Sequence, residues 1–175
     1  MASFVQRMVG AAKLDAATYE EVEADIGATG QALVVVFLSY LAIIIGNLGT
    51  GQVNVFANFV GGLLAWGTWI FLVWFVGVKL LPEPATKSDV GEMIRTTGFA
   101  STPGLLRVFG VIPLLGWLVV IVAWLWTLAA MVVAVRQALD YRSTARAIVV
   151  SVVGFIGQLA VLYLEWRLLR TVMAV

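Results

Sequence analysis

Between Asp25 and Lys79 the chain runs for 53 residues without a formal charge, and two further uncharged apolar runs follow, Val108 to Val135 and Ala147 to Leu164. An apolar helix of about 20 residues crosses a hydrocarbon layer about 30 Å thick, so the pattern predicts membrane-spanning helices. Unbroken apolar runs have the wrong period for barrel strands, which alternate apolar-out with polar-in. The turn formers Asn47-Leu48-Gly49-Thr50-Gly51-Gln52 divide the first run in two, Pro82 and Pro84 end the second helix, and Pro113 and Gly116 open a later one. Spans are therefore expected at about 31–46, 58–80, 116–139 and 144–165, with residues 98–112 as an ambiguous further segment. That segment is apolar enough to enter a membrane but carries Pro103, Gly104, Arg107 and Gly110, which predicts a short, irregular or re-entrant helix. An Arg at mid-span costs ~2.5–3.5 kcal/mol, so Arg107 should lie near an interface, pair with a carboxylate or carbonyl, or face a wet cavity.

Ahead of the first span, Phe4, Met8 and Ala11 or Ala12 recur at helical spacing among Gln6, Arg7 and Lys13, which suits a short amphipathic helix on the membrane surface. Thr18-Tyr19-Glu20-Glu21 fits a capping box, and the acidic first turns (Glu20, Glu21, Glu23, Asp25) agree with the positive end of the helix dipole. Gly27 and Gly30 mark a bend. Downstream, Ser88 or Asp89 could cap a short helix to about Thr96.

Composition narrows the chemistry. The 175 residues are 62% hydrophobic, the mean hydropathy is +1.01 and the net charge is +1, so no global field favours nucleic acid. The chain has no Cys and no His, which removes thiol chemistry and the commonest metal ligand. No metal or resident cofactor is expected, and Ser and Thr lack the usual general base, so the chain is not expected to be an enzyme. No Asp or Glu occurs between Asp25 and Glu83 or between Glu92 and Asp140, which disfavours ion-coupled transport.

Counting Lys and Arg by the positive-inside rule, five spans with the amino terminus inside leave eight cations inside and two outside, with Arg107 embedded; four spans give eight and three. Both arrangements put the amino terminus and the 82–97 loop in the cytoplasm. They differ only after Arg107.

Several constellations could carry function. Ala57, Gly61 and Ala65 form a small-residue ladder that lets a helix approach closely. Ala123, Thr127, Ala130, Ala134 and Gln137 form a small, weakly polar face, repeated by Ala147, Ser151, Gly154, Gln158 and Glu165; interhelical packing or a polar groove for a lipid headgroup or small solute would both use it. Among seven tryptophans, Trp124 and Trp126 lie deep in a span with Trp66 and Trp69, where packing or contact with a bound lipid, quinone or pigment would occupy them. Arg136, Asp140, Arg142 and Arg146 concentrate charge after the fourth span, with Arg136 and Asp140 spaced for an i,i+4 pair. They read as an anchor for anionic headgroups or as a docking surface.

Thr97-Gly98-Phe99-Ala100-Ser101-Thr102-Pro103-Gly104-Leu105-Leu106, Trp124-Leu125-Trp126, Ala134-Val135-Arg136-Gln137-Ala138-Leu139-Asp140-Tyr141 and Thr144-Ala145-Arg146-Ala147, with Thr18 to Asp25 and Gln31-Ala32 upstream, resemble the bacterial branch of the Ypt/Rab-interacting protein (Yip) domain family. The resemblance covers nearly the whole chain. It implies an all-α polytopic bundle of five spans in a bacterial-type cytoplasmic (inner) membrane, the third short or re-entrant, preceded by an amphipathic and acidic N-terminal segment that stays cytoplasmic. Eukaryotic members bind prenylated small GTPases, but their extended amino-terminal region is here only about thirty residues, so GTPase binding is not carried over. What the resemblance implies is a non-enzymatic adaptor or accessory subunit whose partners are membrane lipids and other integral membrane proteins; the residues themselves offer lipid handling or small-solute transport along Arg107 and the Ser151–Gln158 face as the alternative.

Overall fold

Helix ends in the computed structural model fall where the chain supplies caps and breakers. It describes residues 2–48 and 55–173, apart from the side chains of 56–58, 165 and 168–173; residues 49–52 of the 47–52 turn, the Ala57 side chain of the small-residue ladder and the Glu165 side chain lie outside that description.

Helix α1 (Phe4–Ala12) starts with a complete capping box in which Ser3 and Gln6 satisfy each other's backbone N–H groups. Helix α2 (Ala16–Ala24) begins two residues before the expected Thr18, because Asp15 caps it and accepts the Thr18 hydroxyl at 2.7 Å. Glu21, expected to close a box with Thr18, instead accepts from the Ala2 N–H and from Arg7. The two helices form a hairpin that packs on the bundle, with Ala11 fully buried and the Phe4 ring edge-on to Phe99 at 6.3 Å.

Among the described residues four helices are long and apolar enough to cross a membrane: α3 (Ala28–Gly46), α4 (Val55–Phe75, continued by a π-helical turn Val76–Leu80), α6 (Gly116–Ala138) and α7 (Thr144–Met173, apolar to Leu164). Only 17–39% of each apolar window is buried within the chain, as expected where lipid is the solvent for the remainder. No strand occurs among the described residues.

The segment expected at 98–112 begins earlier. Asp89 and Glu92 form a full capping box, one residue beyond the Ser88 frame, and start α5 (Val90–Ala100), which runs past Thr96 and continues as a 3-10 helix from Thr102 to Val111. Pro103 cannot donate a backbone hydrogen bond, and the chain tightens there, with the Ser101 and Thr102 hydroxyls donating to the Thr97 and Phe99 carbonyls.

Close approaches set the direction of this segment. A Cβ at Gly98 would lie 2.7 Å from the Ala32 Cβ, one at Gly104 would meet the Ser39 hydroxyl, and one at Gly110 would lie 3.3 Å from the Gly46 Cα. From Ala32 to Gly46 α3 rises about 21 Å, and from Gly98 to Gly110 the tightened helix rises about 22 Å, so the two run parallel over the same depth. Helix α6 returns antiparallel, with Gly116 against Gly110 and Thr127 beside Gly104. Helix α4 crosses α3 where Tyr40 meets Gly62 and Phe37 meets Phe59, and its last turn at Gly77 abuts Leu139, just past the end of α6. Two buried clusters result, one joining the hairpin to α3, α5 and α6, the other joining α4, α5, α6 and α7. Helix α5 contributes to both and forms the centre.

The bundle thus has a hairpin end, where α1, α2, the 81–89 loop and the 139–143 turn meet, and a far end at Gly46, Gly110 and Gly116.

Candidate functional site

Charge collects at the hairpin end. Arg7 is 2% exposed and donates to Asp25 Oδ2 at 2.7 Å, Glu21 Oε1 at 3.1 Å and Gln31 Oε1 at 3.1 Å, fixing the hairpin to the start of α3. Hydrogen bonding from Arg7 holds the Asp25 carboxyl below its ordinary value, and the Ala2 N–H, then Arg7, do the same for Glu21. Stability from this network is present above the ordinary carboxylate range and is lost as pH falls through the depressed values. Arg95, also buried, donates through Nε and Nη2 to the Glu23 carbonyl at 2.8 and 2.5 Å. Trp126, which needed an acceptor at its depth, donates to the Ala12 carbonyl at 2.7 Å and so ties α6 to the end of α1.

Between α2, α5 and α6 these contacts leave a polar groove of about 450 Å³ lined by Glu20, Glu23, Glu92, Asp140, Arg136, Gln137 and Tyr141. Four carboxylates face one basic side chain there. Burial, then the charges of Glu92, Asp140 and Glu20, push the Glu23 carboxyl up to about 7. Gln137 spans the groove edge, donating to Glu20 Oε1 at 2.9 Å.

The expected Arg136–Asp140 pair is not formed. Helix α6 ends at Ala138 and Asp140 turns to φ 53°, which breaks the i,i+4 register. Arg136 instead donates to Gln137 Oε1 at 3.2 Å and Thr144 Oγ1 at 3.1 Å, while Asp140 accepts from the Lys87 N–H at 3.3 Å. Arg142 donates its backbone N–H to Glu83 at 3.0 Å, and Arg146 lies 3.7 Å from the same carboxylate and donates to the Pro82 carbonyl. This stretch staples two loops together. Tyr141, which the sequence reading passed over, donates to the Gly77 and Leu81 carbonyls at 3.0 and 2.7 Å and secures the π-helical end of α4.

Two cavities lie at bilayer depth. The larger, about 520 Å³, is lined mainly by apolar and aromatic side chains of α4, α6 and α7, among them Trp66, Trp69, Trp124 and Phe155, with Thr127, Ser151 and Gln158. Gln158 donates to the Ala65 carbonyl at 2.9 Å, whereas the buried Trp66 Nε1 and Ser151 Oγ have no partner among the described residues. Gly154 does not line it; it is buried where a Cβ would lie 2.5 Å from Val73, bringing α7 onto α4. The smaller cavity, about 260 Å³, sits at the far end with Arg107, Gly46, Asn47, Val120 and Trp124 in its wall. The proposed polar path therefore divides into two chambers that share Trp124.

Gly61 lies on an exposed face where a Cβ would meet nothing within 4 Å. The close approach within the chain belongs to Gly62, which abuts the Tyr40 ring, and the Tyr40 hydroxyl donates to its carbonyl at 2.7 Å. One residue is a rotation of about 100° on a helix.

Four lipid-length helices with ionisable groups gathered mainly beyond one end define a multi-pass helical membrane protein. Residues 15–164 match the family model described as the Yip1 domain, and the chain belongs to that family. No curated protein and no solved structure matches it.

Proposed function

We propose that the protein is a non-enzymatic membrane adaptor, and that its carboxylate-lined groove receives the basic juxtamembrane segment of another integral membrane protein. The observation that carries this reading is the convergence of Glu20, Glu23, Glu92 and Asp140 on one water-facing groove at the end of an otherwise apolar bundle. Placing the hairpin end in the cytoplasm follows from the charge count and puts the groove where neighbouring membrane proteins carry their excess Lys and Arg. The parallel run of residues 98–110 beside α3 supports a fifth crossing, so that α7 leaves toward the far side. A cationic guest would offset the burial, and the repulsion added to it, that raise Glu23, and would complete the pairing that Arg136 leaves short.

Reconstitution in nanodiscs tests the proposal. A single-span peptide with an arginine-rich flank should bind the wild type more tightly than the same span with a glutamate-rich flank, weaken with salt, and lose most of its preference with Glu20→Gln/Glu92→Gln. Equal binding of the two peptides would remove the groove from the account.

A further inference from the structure

Arg107 is a cation with no counter-charge among the described residues. It belongs to the 3-10 helix inside the bundle, its backbone carbonyl packs against Gly46, and its half-buried side chain lines the far-end cavity. Among the described residues it donates no hydrogen bond and meets no carboxylate. Tyr40, the titratable side chain that faces it, has its hydroxyl committed to the Gly62 carbonyl. The sequence supplies no Asp or Glu between Asp25 and Glu83 or between Glu92 and Asp140. A guanidinium held among apolar walls is stable only with an anionic partner or water.

Position and surroundings select the anion. Gly46 closes α3 and Gly110 and Gly116 meet beside it, so Arg107 sits one 3-10 turn inside the far end of the bundle. From there the cavity runs along α6 past Val120 and Ile121 to Trp124, which is 52% exposed on the lipid-facing side and also lines the larger apolar cavity. A phosphate at the guanidinium fork and hydrocarbon against Ile121 and Trp124 match this polar-then-apolar sequence.

We infer that the far-end cavity binds one anionic glycerophospholipid, its phosphodiester on Arg107 and a chain laid against Trp124. The lipid supplies the charge that the described residues around Arg107 do not. The site is separate from the groove at the hairpin end, and either can exist without the other.

Native mass spectrometry of the delipidated full chain tests this with phosphatidylglycerol, phosphatidylcholine and inorganic phosphate as probes. Phosphatidylglycerol should be retained about tenfold better than phosphatidylcholine, and Arg107→Gln should abolish that difference. Arg107→Lys should keep part of it, because the charge remains while the planar fork is lost. Arg142→Gln, exposed at the opposite end, should leave it within about twofold. Equal retention of the two lipids by the wild type would overturn the inference even if the variants fail to fold. So would unchanged selectivity in Arg107→Gln. Displacement of the lipid by millimolar inorganic phosphate would identify a site for free anions and overturn it as well.

Discussion

Glu23→Gln tests the electrostatics of the groove in a single substitution. The carboxyl is raised from 4.5 to about 7, first by burial and then by Glu92, Asp140 and Glu20. The folded chain therefore holds this proton more tightly than the unfolded chain does, so the group contributes nothing unfavourable below about pH 4.5 and its destabilisation grows as pH rises toward 7. A shift of that size has a ceiling of about 3 kcal/mol; the side chain is partly open to water, and screening reduces the figure to about 1–1.5 kcal/mol. Gln keeps the shape and leaves the Glu23 carbonyl free to accept from Arg95. Thermal unfolding in detergent, followed by tryptophan fluorescence, should show Glu23→Gln about 3–5 °C more stable than wild type at pH 8, with no difference near pH 4.5. An advantage of equal size at both values would show that the groove does not raise the Glu23 carboxyl. For the same reason an arginine-rich peptide should bind the wild type more tightly at pH 8 than at pH 6, because a protonated Glu23 offers it less charge.

Gly62→Leu should lower stability by about 1–3 kcal/mol through overpacking against Tyr40, whereas Gly61→Leu should stay within about 0.5 kcal/mol; matching melting shifts in lipid-free detergent would contradict the assignment of the contact. Tyr141→Phe removes both hydrogen bonds to the π-helical turn and should cost about 1–2 kcal/mol, with faster amide exchange at Val78 to Leu81. Exchange unchanged there would mean that the turn holds itself.

The spans were legible because lipid imposes a strong one-dimensional rule. An uncharged run long enough to cross either crosses or is buried, and the ends at Pro82, Gly116 and Thr144 follow from local chemistry. Residues 98–111 were harder, since proline, glycine and arginine argue against a regular helix and only the three-dimensional fit of Gly98, Gly104 and Gly110 along α3 shows why they are there. At α2 the cap lies at Asp15, three residues before the expected Thr18, whereas at α5 it is Asp89, one of the two residues expected there. The groove left no local signature. Glu20 and Gln137 are 117 positions apart yet share a hydrogen bond, and the acidic residues of α2 looked like an ordinary helix start. Arg107 stood out early because a cation in an apolar run must be explained by something nearby, and the structure puts a cavity beside it.

The alternating path through the membrane underlies both the groove and the lipid site, and it can be measured directly because the chain has no cysteine of its own. Single cysteines at Ser143 and Leu114, exposed at opposite ends, are to be labelled with an impermeant thiol reagent in right-side-out and inverted vesicles. Ser143→Cys should react only in inverted vesicles and Leu114→Cys only in right-side-out ones. The reverse pattern, Leu114→Cys reacting only in inverted vesicles and Ser143→Cys only in right-side-out ones, would contradict the crossing of residues 98–110, and with it the placement of the groove and of Arg107 on opposite faces.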